Sequence, residues 1–195
     1  MALVKHGQSF KTMAITINGN GTLTGVSVGG LPDGIVDTDM LAAGAVTAAK
    51  RGAGAILQVV YGETTTEVCN TSGSYTDSGI TAIITPSSTS NKILVIASIQ
   101  WFLYREATET NGSFKLLRGS TTISTHDNSI HIEADTTSQS RIISEGGYPI
   151  QILDSPSTTS STTYKVQFKT GSGVGQVCVN RNSAPGCITL MELAV

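Results

Sequence analysis

The chain has 195 residues, of which 39 % are hydrophobic and only 13 % charged, with a formal net charge of −2. Soluble domains usually carry about 25 % charged residues, so this surface must be polar without being charged. The balance leaves no basic field to track phosphates, and no stretch approaches the roughly 18 consecutive apolar residues of a membrane-spanning helix.

Residues 1–10, with Lys5 and His6, lack the apolar centre of a signal peptide, so the expectation is a soluble, unexported chain without membrane insertion. Residues 1–30 alternate loosely through Ala14-Ile15-Thr16-Ile17 and Leu23-Thr24-Gly25-Val26-Ser27-Val28, broken by Asn18-Gly19-Asn20-Gly21 and Gly29-Gly30. They read as short strands too poor in bulk to hold a core alone, and Asn18-Gly19 is a hairpin signal. Residues 34–54 carry a weak ten-residue period in which Val36 falls on Val46 and Thr38 on Ala48. Two copies of so short a period cannot bury a face unaided. The segment predicts one short helix, N-capped by Asp37 or Thr38, with Met40, Leu41, Ala45, Ala48 and Ala49 facing a partner; a flexible Ala/Gly linker is the alternative.

At residues 54–56 the texture changes to regular β. Ser and Thr supply about a quarter of the whole chain and glycine 21 residues, which favours strands and turns over helix interiors. Strands are expected at 56–61, 80–85, 92–105, 113–118, 129–134, 140–144, 149–153, 162–170, 176–180 and 187–193, a count that fits a sandwich or jelly roll. In 162–170, Tyr164, Val166 and Phe168 share one face while Lys165, Gln167 and Lys169 share the other, so one side is wet. In 92–105 both faces begin apolar, which places this strand centrally or at a subunit interface. Asn111-Gly112 and Arg118-Gly119-Ser120 read as hairpin turns.

Several constellations could carry chemistry. A Ser/His/Asp set can be assembled from the many serines with His126, Asp127 and Asp135, but no serine lies in a Gly-x-Ser-x-Gly elbow. His126 and His131 with Asp127, Glu133 and Asp135 resemble a metal or acid/base patch. On one extended strand, however, His131 and Glu133 face away from His126. Gly171-Ser172-Gly173-Val174-Gly175 opens no helix and reads as a turn rather than a phosphate loop. Trp101 and Tyr104 suit core packing better than a sugar platform. Cys69, Cys178 and Cys187 are too few for a disulfide scaffold; Cys178 and Cys187 flank a turn and are expected as a reduced, buried pair. No catalytic, cofactor-binding or metal-ligating residue is therefore assigned.

Leu31-Pro32-Asp33-Gly34-Ile35-Val36-Asp37-Thr38 and Gly44-Ala45-Val46-Thr47-Ala48-Ala49-Lys50 resemble the anchor-proximal repeats of phage tail fibres. Tyr75-Thr76-Asp77-Ser78-Gly79-Ile80, Ile84-Thr85-Pro86-Ser87-Ser88, Asn91-Lys92-Ile93-Leu94-Val95, Phe114-Lys115-Leu116-Leu117-Arg118-Gly119, Leu153-Asp154-Ser155-Pro156 and Thr163-Tyr164-Lys165-Val166-Gln167-Phe168 look like the C-terminal region of fibre proteins in phages of aquatic bacteria, including cyanophages. The resemblance covers about residues 31–195 and lacks a long shaft. It implies a trimeric fibre with an N-terminal virion anchor and a distal β-sandwich, assembled in the host cytoplasm and resident in the virion.

The reading is thus a mostly β protein: an extended N-terminal attachment segment with a short helix over residues 1–55, then a jelly-roll-like sandwich head over 56–195, forming a homotrimer. Residues 1–55 would bind other virion proteins of the tail, adaptor or baseplate. Loops of the head, at 105–112, 155–163 and 180–186, would contact host-surface carbohydrate without cleaving it. A capsid decoration or head-spike protein is one alternative; a particle-bound depolymerase is another, disfavoured by length and the lack of a paired-carboxylate signature.

Overall fold

The computed structural model describes residues 16–17, 23–24, 45–46, 50–105, 109–133, 142–171 and 175–195. The chain separates into two compact units, Met1–Thr47 and Ala48–Val195. In the first, β1 (Thr16–Ile17) and β2 (Leu23–Thr24) pair antiparallel, Thr16 opposite Thr24 and Ile17 opposite Leu23, as the Asn18-Gly19 signal between them leads one to expect. Of the expected helix, Ala45 and Val46 are non-helical and exposed, and the other positions lie outside the described residues.

The second unit is a β-sandwich of β3 (Ile56–Thr64), β4 (Val68–Asn70), β5 (Thr76–Ile84), β6 (Lys92–Arg105), β7 (Thr110–Arg118), β8 (Thr121–Ile132), β9 (Ile142–Asp154), β10 (Thr162–Thr170), β11 (Gly175–Val179) and β12 (Gly186–Leu193). One sheet has the order β5-β10-β7-β8. In the other, β6 carries β9 along one edge; along its other edge it carries β12, continued by β3, and then β11, continued by β4. Without the short β4 and β11, the sheets read β3-β12-β6-β9 and β5-β10-β7-β8. The eight long strands are distributed between two sheets in jelly-roll order. Residues just before β3 are tied to the chain end: Gly54 N–H donates to the Ala194 carbonyl at 2.8 Å and Ala194 N–H to the Ala55 carbonyl at 2.9 Å.

Strand periodicity fixes the core. On β6, Ile93, Val95, Ala97, Ile99 and Leu103 are fully buried between the sheets, while Leu94, Ile96 and Ser98 on the other face are half-buried. On β10, Tyr164, Val166 and Phe168 are fully buried, with Lys165, Gln167 and Lys169 outside. Burying such side chains stabilises by about 25 cal/mol for each Å² of apolar surface removed from water. β6 is the central strand its composition demands.

Several local expectations are corrected. Asn111-Gly112 is not a turn but the start of β7. Gly112 is there for space, because a Cβ would stand 2.7 Å from Ile130 Cδ1 and 3.0 Å from Val177 Cγ2. The strand expected at 129–134 is the end of β8, whose polar first half, Thr121-Thr122-Ile123-Ser124-Thr125-His126, completes a hairpin with β7 through Gly119-Ser120. Gly119 there adopts φ 58°, a value glycine reaches without strain. The separate strands at 140–144 and 149–153 are one strand, β9, running through Gly146-Gly147-Tyr148-Pro149. Among the described residues β9 pairs only with β6, and such an edge tolerates a proline that cannot donate to a ladder. Cysteine pairing also differs: Cys69 and Cys178 form a disulfide across β4 and β11, while Cys187 is free. The turn between Cys178 and Cys187 does not fold β11 back on β12, because both strands pair with β6 instead.

Candidate functional site

The titratable residues of β8 do not converge. His126 Nε2 lies 2.7 Å from Ser124 Oγ, and its Nδ1 lies 3.1 Å from the Tyr148 hydroxyl. Tyr148 in turn stacks on Phe114 with ring centroids 5.1 Å apart. Asp127 instead accepts from the Tyr75 hydroxyl at 3.1 Å. Burial, then the Asp127 carboxylate, pushes that phenol up to about 12. His131 is on the exposed face, 3.9 Å from Glu109. Asp135 lies outside the described residues. Among the described residues, the histidine imidazole therefore bridges two hydroxyls, with no carboxylate hydrogen-bonded to it.

Among the described residues one group of side chains, Glu67, Cys69 and Cys178, has metal-ligand proximity. Two of its three members are consumed by the disulfide, which removes the thiolates a metal would need. Gly171 and Gly175 border residues outside the described set. Gly171 N–H donates to the Asn111 carbonyl at 2.8 Å, which ties this connection to β7.

A concave site is built where β6, β9 and the connection after β11 meet. Trp101 packs against the core and Tyr104 lies on the opposite face of β6, so they form no shared platform. Phe102, also on the outer face, is covered by the Arg181 guanidinium, 3.8 Å from the ring centroid. Around this pair opens a recess of about 480 Å³, lined also by Gln100, Trp101, Glu145, Gly146, Asn182 and Ala184.

The turn that supplies Arg181 and Asn182 is held from below. Asn180 N–H donates to the Gln100 carbonyl at 2.9 Å, and its side-chain amide donates to the carbonyls of Thr66 and Ser78, both at 3.1 Å. Asn180, Asn182 and Ser183 all take left-handed φ values between 55° and 60°. Such backbone persists only where surrounding structure over-determines it. Gly186 closes the turn, because a Cβ there would press on Asn180 Oδ1 and the Ile80 side chain.

The side chains of Gln100, Glu145 and Asn182 make no hydrogen bond or ion pair to other described residues, and Arg181 reaches only Glu67, at 3.8 Å. On the outer face of β5 and β10, by contrast, Asp77 accepts from Lys165 at 3.0 Å and from Gln167 at 2.6 Å. The recess thus presents a carboxylate and two carboxamides with their hydrogen-bonding capacity free, beside a guanidinium that lies on Phe102 and pairs with Glu67. Hydroxyl groups, which both donate and accept, complement that set. The 180–186 connection was expected to be a contact loop from its turn composition. Gln100 and Glu145 carried no signal of their own, since each is an ordinary strand residue until β6 and β9 pair.

No protein-family model matches the chain, and no curated protein matches it. Three solved structures with which it shares weak similarity come from infectious bursal disease virus. A chain in the structure of the virus Gx strain gives a TM-score of 0.32 at 14 % identity over 72 % of this chain and 38 % of that one. A chain in the virus-derived T=1 particles gives 0.31 at 13 % identity, over 72 % and 37 %. A chain of the VP2 subviral particle gives 0.30 at 11 % identity, over 72 % and 38 %. This protein spans less than two-fifths of those chains.

Proposed function

We propose that this chain is a structural protein of a bacteriophage particle: a short fibre attached to the tail or particle through residues 1–55, whose β head contacts host-surface carbohydrate without cleaving it. The observation that carries the reading is the recess beside the Arg181–Ser183 turn, where two unmatched amides and the Glu145 carboxylate converge on a jelly-roll scaffold. The fibre-like sequence over residues 31–195 and the division into a small N-terminal unit and a larger β unit support it. The non-enzymatic part is supported by His126, whose ring nitrogens face a serine and a tyrosine rather than a carboxylate.

The attachment claim is tested by imaging whole particles with this subunit located. A position at the tail vertex is expected; distribution over the capsid lattice would make it a decoration protein. The contact claim is tested by incubating purified full-length protein with host cells and extracted surface polysaccharide. Binding that falls at least tenfold in Gln100→Ala and Asn182→Ala is expected, with no sugar fragments released. Fragment release would refute the non-enzymatic reading, and equal binding by the variants would remove the recess from it.

A further inference from the structure

The outer faces of the two sheets differ in chemistry. On the β5-β10-β7-β8 sheet, one cross-strand row reads Asp77, Gln167, Lys115, Thr125 and the next Thr81, Lys165, Leu117, Thr122. That is the solvated face expected of an antiparallel sheet. On the β3-β12-β6-β9 sheet, the register places Val59, Met191, Leu94 and Leu153 in one row and Tyr61, Thr189, Ile96 and Gln151 in the next. A third row follows with Glu63, Cys187, Ser98 and Pro149. Twelve positions hold a single charge, Glu63. Val59, Tyr61 and Leu153 are 56 %, 57 % and 50 % exposed, so the edge strands leave large apolar side chains open to water.

We infer that this face is covered by a second copy of the same chain. The inference does not depend on the virion reading. Four strands about 4.8 Å apart and six residues of about 3.4 Å each span roughly 19 by 20 Å, or about 400 Å² in projection. A specific interface buries about 800 Å² on each partner, arranged as an apolar centre with a polar rim. Val59, Met191, Leu94 and Leu153 with Tyr61 and Ile96 supply such a centre, and Glu63, Ser98 and Gln151 lie where its rim would be. A copy of this chain also fits the charge pattern: a face with one carboxylate meets itself without an array of like charges. A strongly charged partner would find nothing there to pair with.

Cys187 reports on this face, since its thiol is free and sits in the third row. The experiment uses the full chain and the double variant Val59→Lys/Leu153→Lys, with Ile83→Lys as control; Ile83 is 56 % exposed on the other sheet. Sedimentation at micromolar concentration and the rate of Cys187 modification by a thiol reagent are measured for each. Wild type and Ile83→Lys are expected to be oligomeric with slow Cys187 modification. The double variant is expected to dissociate, or, if residues 1–47 hold copies together, to modify Cys187 at least tenfold faster. Should the double variant not fold, serial dilution of wild type replaces it: Cys187 modification must speed up as the oligomer dissociates. A monomeric wild type overturns the inference, as does a Cys187 rate unchanged by the substitutions or by dissociation.

Discussion

Cys69 and Cys178 stand directly opposite each other on β4 and β11, and their disulfide joins residues 109 apart in sequence. β4 has only three residues and, among the described residues, pairs with β11 alone, so the covalent link holds an otherwise weak edge. β11 also carries the turn that positions Arg181 and Asn182, which connects this link to the recess.

Closing a loop of that length removes much of the unfolded chain's freedom, and breaking it is expected to cost about 4 kcal/mol. In denaturant, the protein should show one reactive thiol before reduction and three afterwards. Cys69→Ala/Cys178→Ala should unfold at a markedly lower temperature than wild type. Three reactive thiols in the unreduced protein would contradict the pairing.

Asp154 at the end of β9 clasps the two sheets. It accepts from Arg118 Nη1 at 2.7 Å and from the Tyr164 hydroxyl at 2.6 Å. Burial, and then the Asp154 carboxylate, push the Tyr164 phenol upward. Removing the carboxylate leaves a part-buried hydroxyl unmatched and the guanidinium with only the Ser155 carbonyl, at 3.3 Å. Asp154→Ala is expected to lose about 2 to 3 kcal/mol by urea unfolding and Tyr164→Phe about 1 kcal/mol. A double-mutant cycle of Arg118→Met with Asp154→Asn should return a coupling near 1 kcal/mol; additive losses would show the clasp to be unimportant.

Glu192 gives the head an acid limit. Its side chain is buried, which opposes ionisation, yet it accepts from Asn91 at 2.6 Å, Gln58 at 2.5 Å and Ser87 at 2.7 and 2.8 Å. Those donors outweigh burial and hold the carboxyl below its ordinary value near 4.5. A carboxyl lowered by folding contributes fully above its unfolded value, and the contribution is lost as pH falls through the folded value. Stability should therefore be flat from pH 7 to about 5 and decline below it. In Glu192→Gln that acid decline should be shallower, and stability at pH 7 lower by about 2 kcal/mol. An unchanged slope in the variant would assign the decline to other carboxylates.

Gly62 lies where β3 approaches β5 closely. A Cβ there would collide with the carbonyl of Thr81, a backbone atom that cannot rotate aside. Gly62→Ala is expected to destabilise the head by about 3 kcal/mol, at the upper end of overpacking costs. Gly52→Ala is the comparison, since nothing lies within 4 Å of a Cβ at that position. Equal melting temperatures for the two variants would show that β3 can shift.

The sequence alone determined which residues face inward on the long strands. A strand's side chains alternate with period two, so Tyr164-Val166-Phe168 and Ile93-Val95-Ala97-Ile99 identify a core face without knowledge of any partner. It also determined the turn at Gly119 and the loop at 180–186, because positive φ and tight reversal need particular residues locally. The tertiary structure decided what depends on non-local pairing. Cys69 meets Cys178 rather than Cys187 because β4 and β11 come together from distant parts of the chain. Asn111-Gly112 enters a strand because Ile130 and Val177 require an absent side chain there. The recess exists only because β6 pairs with β9, setting Gln100 beside Glu145 and the turn after β11. Periodicity is written into each segment, whereas register between segments is set by the free energy of packing them all at once.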